Sequence, residues 1–153
     1  PWEGLRNDLL FSDELTPVMA PELAARLPHP CTTEALLELP LLHSNRRPQH
    51  WPDWIRAAGA RRKLSVGDVY YEDLSIIYQC AIEGLGVALG QLRYVQKDLE
   101  QGRLVAPHPL VLRRSRGYHL VCPQERADDG KIACFREWLL KQTKSTDLEC
   151  RGP

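Results

Sequence analysis

The adjacent carboxylates Glu72-Asp73 are the pair best placed to touch a small molecule. They fall where a helix is expected to begin, and a helix start carries unpaired backbone N–H groups and a partial positive charge. The plainer reading of these residues, a simple N-terminal cap, is the favoured one. Asp128-Asp129 reads as a loop running into a helix start, where negative charge suits the dipole. His29, His43, His50, His108 and His119 are scattered singly, and a lone histidine is ordinarily a hydrogen-bonded structural residue. Cys31, Cys80, Cys122, Cys134 and Cys150 form no CxxC pair, so neither a zinc site nor a redox motif is indicated. Cys80, Cys122 and Cys134 sit in apolar segments and read as small core residues. The run Gly84-Leu85-Gly86-Val87-Ala88-Leu89-Gly90 has the glycines of a dinucleotide loop in the wrong order. It closes a helix and opens a strand, whereas a phosphate-cradling loop follows a strand and opens a helix. Walker A, GxSxG and HExxH patterns are absent, so no catalytic residue, metal or cofactor is expected.

The elements that must position these residues alternate in type. Strands are expected at Leu9–Phe11 and Leu15–Met19, joined by Ser12-Asp13, with Pro17 marking an edge or crossing strand. A short helix at Pro21–Arg26 is followed by one capped by Thr32 or Thr33 and stopped at Pro40. Leu41–His43 reads as a buried strand ending in the loop Ser44-Asn45-Arg46-Arg47-Pro48. A tryptophan-rich helix follows, with Trp51, Trp54, Ile55 and Ala58 packing and Gly59 ending it. Leu64–Val66 is a weak strand. Leu74, Ile77, Tyr78, Ala81 and Ile82 recur at helical spacing from Asp73 to a stop at Gly84. Val87–Leu89 is a buried strand, Arg93–Gln101 a helix, and Leu104-Val105 and Tyr118–Cys122 further strands. The last helix, Lys131–Lys144, places Ile132, Phe135 and Leu139 on one stripe beside Trp138. This order predicts a mixed or parallel sheet with helices on both faces, and ligand-binding loops gathered at one end of it.

Composition narrows the class. The 153 residues are 43% hydrophobic and 26% charged, a globular balance, with 20 basic and 20 acidic side chains. A domain gripping phosphates by its own charge would be basic, so direct nucleic-acid binding is not expected. Arg61-Arg62-Lys63 reads as a solvated charge run. No apolar stretch approaches the roughly 18 residues that span a bilayer, and Pro1-Trp2-Glu3-Gly4 carries no signal-peptide pattern. A cytoplasmic setting is expected, and the missing initiator Met implies a start inside a longer protein.

Several stretches, taken in order, resemble the effector-binding domain of LysR-type transcription regulators. They are the segment from Leu9 to Pro21, then Pro40-Leu41-Leu42-His43 with its tryptophan helix, then Ala81 through Gly90. Leu99-Glu100-Gln101-Gly102-Arg103-Leu104-Val105, Tyr118–Pro123 and Phe135-Arg136-Glu137-Trp138-Leu139 complete the pattern to about Lys144. The likeness is to the branch containing the glycine-cleavage activators. It implies an α/β, periplasmic-binding-protein-like (type II) fold of two lobes, one complete and the other partial. The expected crossings are Leu15–Met19 and Tyr118–Cys122. The second lobe is expected over about 20–112, first-lobe remnants over 1–15 and 123–144, and a flexible tail over 145–153. The family's winged helix-turn-helix, its linker helix and the opening elements of the first lobe are expected to be missing. DNA would then be bound only through that absent N-terminal domain, and a homodimer or homotetramer would form through effector domains.

The resulting expectation is an effector sensor that takes a small polar metabolite, an amino acid or carboxylate, between lobes. Its expected contacts are Ser44 and Asn45 after the Leu41–His43 strand, Tyr71, Asp73 and Ser75 at the following helix start, and Thr16 on the crossing strand. A solute-binding or transport-receptor lobe of the same architecture is the alternative, disfavoured by the missing export signal. An enzyme on a doubly wound sheet would need a nucleophile–base pair or metal cluster that the residues do not offer. No membrane partner is expected.

Overall fold

A computed structural model describes residues 3–62 and 67–149. The elements are β1 (Leu5–Val18), α1 (Pro21–Ala24), α2 (Thr33–Leu37), β2 (Leu41–Ser44), α3 (His50–Ala57), β3 (Val69–Tyr71), α4 (Leu74–Ile82), β4 (Val87–Gln91), α5 (Leu92–Glu100), β5 (Leu112–Pro123) and α6 (Gly130–Glu149), with a 3-10 turn at Gln124–Arg126. The strands are hydrogen-bonded in the order β3-β2-β4-β1-β5. β2 runs parallel to both β3 and β4, and β1 runs antiparallel to β4 through Leu15–Val18. The mixed sheet matches expectation. The chain divides into two compact units, Glu14–Arg113 and the pair of segments Pro1–Asp13 and Arg114–Pro153.

The larger unit is a three-layer sandwich. Alternate residues of a strand point to opposite faces, so each strand feeds two cores. Leu15, Leu41, Val87 and Leu89 meet Leu23, Leu36, Trp51 and Trp54 from α1–α3 on one face. Val18, Leu42 and Ala88 meet Ile77, Ala81 and Val95 from α4 and α5 on the other. Both tryptophans are packing residues, as their spacing indicated. Trp51 donates its indole N–H to Leu42 O at 3.0 Å, Trp54 to Leu110 O at 3.3 Å, and their rings meet edge to face. Buried indoles with satisfied N–H groups carry large apolar area at no polar cost. The glycine run behaves structurally. Gly84 ends α4 at φ 73°, and a Cβ on Gly86 would stand 2.6 Å from Pro40 O, where Val87 N–H already bonds.

In the smaller unit, β1 from Leu5 to Leu10 alternates between exposed and half-buried residues, and β5 and α6 supply the rest. Tyr118 stacks on Phe11, His119 bonds Asn7 at 2.6 Å, and Gln124 N–H donates to Gly4 O at 2.9 Å. Asp8 lies 3.8 Å from the Arg136 guanidinium of α6 and 3.6 Å from Arg6.

Several expectations are corrected. β1 is one continuous strand; Ser12-Asp13 does not break it, because the two polar residues stay extended. Of the two readings of Pro17, edge or crossing strand, the crossing one fits: β1 runs through both units, and Pro17 is accommodated one residue from its end, paired with β4. Tyr118–Cys122 runs beside the first half of β1, while Leu15–Val18 pairs with β4. β3 was not foreseen at Val69–Tyr71, since it is only three residues long, and the expected strand Leu64–Val66 lies outside the described residues. Leu104-Val105 contributes a single bridge, Val105 with Met19. α6 extends to Glu149, as no glycine or proline interrupts the chain before Gly152. Its half-buried stripe is Ile132, Ala133, Arg136, Leu139 and Leu140, leaving Cys134, Phe135 and Trp138 exposed. Arg62 is no solvated charge. Its guanidinium grips both Asp68 carboxylate oxygens at 2.7 and 2.8 Å and the carbonyls of Leu37 and Leu39.

Candidate functional site

In the larger unit the three parallel strands β3, β2 and β4 end together, and the helices that follow β3 and β4 begin there. Strand carboxyl ends beside helix starts gather backbone donors and short polar side chains at one edge, which is where open α/β sheets bind ligands. Ser44 closes β2, Tyr71 closes β3, and Gln91 closes β4 at the N-cap position of α5.

The register sets the spacing. Leu42 lies beside Ala88 and Thr16 opposite Gly90. Continuing the parallel register brings Ser44 level with Gly90, so Thr16 and Ser44 flank β4 on the face that carries α4 and α5. Two strand spacings separate them, about 10 Å. Thr16 is 1% exposed and Ser44 8%, and the hydroxyl oxygen of each is buried without a hydrogen-bond partner. Buried hydroxyls are normally bonded, because leaving one unpaired costs roughly 1–3 kcal/mol. Two of them at the ligand edge of one sheet are the strongest functional signal in the larger unit.

The other expected contacts gather around Ser44, each with a partner of its own. Asn45 N–H donates to Tyr71 O at 2.9 Å, and its side-chain amide donates to Glu72 Oε1 at 2.9 Å. Glu72 also faces Arg46 at 3.7 Å. Asp73 is the N-cap of α4. Its Oδ1 accepts from the Ser75 amide and the Ser75 hydroxyl, both at 2.8 Å. Those two bonds, with Arg46 nearby, hold the Asp73 carboxyl below its ordinary range. Tyr71 turns its hydroxyl inward to accept the Cys80 thiol at 3.4 Å, and this contact together with burial raises its pKa. Ser44, Asn45, Tyr71, Asp73 and Ser75 thus form one cluster. Thr16 stands apart across β4.

Two participants were not read from the sequence, and the contact of a third was not. Gln91 is 3% exposed, and its backbone N–H donates to the Tyr78 hydroxyl at 3.2 Å, tying α4 to the end of β4. A polar residue ending the apolar run Val87–Gly90 was the available signal. Tyr78 was hidden by its helical spacing, which marked it only as core. Glu72 was seen as half of an acidic pair, but its bond to Asn45 depends on β3, which was not foreseen.

A model of the LysR substrate binding domain matches residues 1–144. The chain belongs to that family. This LysR substrate-binding domain is 36% identical over 151 residues to the glycine cleavage system transcriptional activator of Escherichia coli K12, covering 98% of this chain and 49% of that protein. It is 35% identical over 145 residues to the HTH-type transcriptional regulator TrpI of Pseudomonas aeruginosa, covering 93% and 48%. Among solved structures, the effector domain of the regulator AmpR of Pseudomonas aeruginosa superimposes with a TM-score of 0.77 at 27% identity, covering 95% of this chain and 69% of that one. The LysR substrate-binding domain therefore has the fold of the family's effector domains, and its relatives are transcription regulators, not enzymes. It spans about half the length of the curated relatives it matches. Among the described residues, no helix is long and apolar enough to cross a membrane.

Proposed function

We propose that this domain senses a small polar metabolite, an amino acid or carboxylate, and that occupancy controls DNA binding by a helix-turn-helix elsewhere in a cytoplasmic, oligomeric regulator. The observation that carries the reading is the pair of buried, unbonded hydroxyls of Thr16 and Ser44 beside the ends of β2 and β4. A ligand oxygen or amine bonding to them would relieve their desolvation cost, so affinity would come from polar matching more than from buried apolar area. Asn45 and the Asp73–Ser75 cap would close one side, with the Asp73 carboxylate already ionised at neutral pH. Binding shifts the regulator only to the extent that affinity differs between its two arrangements on DNA.

Titration calorimetry on the full-length regulator with panels of amino acids and small carboxylates tests this. Heat from at least one ligand, weakened about tenfold or more by Ser44→Ala or Thr16→Val, is expected, each change removing roughly 1.5 kcal/mol of hydrogen bonding. Silence across both panels, with operator affinity unmoved by every compound, would overturn the proposal.

A further inference from the structure

We propose that the groove beside α3, on the sheet face opposite Ser44, is a second binding site for a small aromatic or branched-apolar carboxylate. The strand alternation separates it from the effector edge. Leu42 and Ser44 face α4 and α5, whereas Leu41 and His43 face α3. The groove holds about 710 Å³ and is lined by Leu41, His43, Trp51, Pro52, Ile55 and Arg56 together with the segment Gly59–Arg62. That volume falls among those that take small molecules.

Its chemistry is two-sided. The exposed Pro52 and the half-buried Ile55 offer apolar surface to a ring or branched chain, over a floor made by the buried Leu41 and Trp51. Arg56, Arg61 and Arg62 bring three guanidinium groups, and no aspartate or glutamate lines the groove among the described residues. The three arginines are not equally available. Arg62 is committed to Asp68 and to two backbone carbonyls. Arg56 makes one exposed contact with Asp53 at 3.1 Å, and Arg61 makes no ion pair among the described residues. Arg61 and the remaining N–H groups of Arg56 thus line a groove whose own wall carries no acid, while Glu34 and Glu38 line the adjoining cleft that Arg61 shares. A guanidinium's planar fork matches the two oxygens of a carboxylate. His43 Nε2 lies beneath the groove wall and turns toward Asp68. It is buried without a hydrogen bond, 3.6 Å from an Asp68 oxygen already held by Arg62, with its ring stacked on Tyr70. Burial favours its neutral form, so the imidazole adds no charge behind the groove.

The test uses phenylacetate and its uncharged isostere phenylacetamide as probes on the full-length protein, followed by calorimetry. Phenylacetate should bind at least tenfold more tightly than phenylacetamide. Arg61→Glu should abolish that preference without moving the thermal midpoint, because Arg61 makes no ion pair among the described residues. Arg56→Glu should weaken it as well. Ser44→Ala should leave phenylacetate binding unchanged, since its hydroxyl lies on the other face. Equal affinity for acid and amide, indifference to Arg61→Glu, loss of binding in Ser44→Ala, or no binding at all would each overturn the proposal.

Discussion

The two halves of β1 make an instructive contrast. Leu15–Val18 is buried at every position, because helices cover both faces of the sheet there. Leu5–Leu10 alternates between exposed and half-buried, and the smaller unit leaves Leu5, Leu9, Val121, Phe135 and Trp138 open. Among the described residues, every buried apolar residue except Ala127 lies in the larger unit. The same strand, with the same preference for extended backbone, is a core element in one half and a one-sided surface in the other. What differs is the number of layers packed on it, so burial here is a property of neighbours and not of strand sequence.

That contrast can be broken or sharpened by substitution. The largest effect is expected in the two-sided half: Trp54→Ala should cost about 3–5 kcal/mol in urea unfolding, through lost burial and the cavity left behind. Asp68→Ala should approach that loss, about 3–5 kcal/mol, by stranding the Arg62 guanidinium, whose side chain is only 10% exposed. Gly86→Ala forces a methyl against Pro40 O and should cost about 1–3 kcal/mol, read from the thermal midpoint. In the one-sided half, Trp138→Ala should stay within about 0.5 kcal/mol of the parent. A loss comparable to that of Trp54→Ala would show that layering is not what separates the halves.

Acidity offers a further test confined to the larger unit. His108 Nδ1 accepts from Leu110 N–H at 3.1 Å, which places its proton on Nε2, directed to the Thr33 hydroxyl at 3.0 Å. Burial lowers the pKa of His108 and of His43 below the ordinary 6.5. The unfolded chain therefore binds these protons more readily than the folded one. Stability is complete above about pH 6.5 and falls as pH drops toward the depressed values. Unfolding midpoints measured between pH 7.5 and 5 should decline, and His108→Gln should flatten part of that decline. A rise on acidification would contradict the burial argument.

The larger unit was the more legible in sequence, for the same reason that it is the more buried. Helical periodicity at Leu74, Ile77 and Ala81, the Asp73 cap and the Gly84 stop are local signals, and α4 follows them. The cluster around Ser44 could be expected because turn chemistry marks strand ends. Three kinds of information were out of reach. β3 is three residues long, below the span over which alternation can be recognised, so the Asn45–Glu72 bond could not be anticipated. Arg62 looked solvated beside Arg61, because its partner Asp68 and the carbonyls of Leu37 and Leu39 meet it only in the folded chain. The outward turn of Phe135 and Trp138 was equally hidden, since a stripe of aromatics does not reveal how many layers will cover it.

The Tyr78 hydroxyl on the Gln91 amide has one more implication. A phenol holds α4 to the last residue of β4, next in line to Gly90, which faces Thr16 across the ladder. Any rotation of that helix about its own axis would have to break or drag this bond. Movement at one flank of the ligand edge would then be felt at the opposite flank, with this phenol as one lever beside the packing of Ile77 and Ala81.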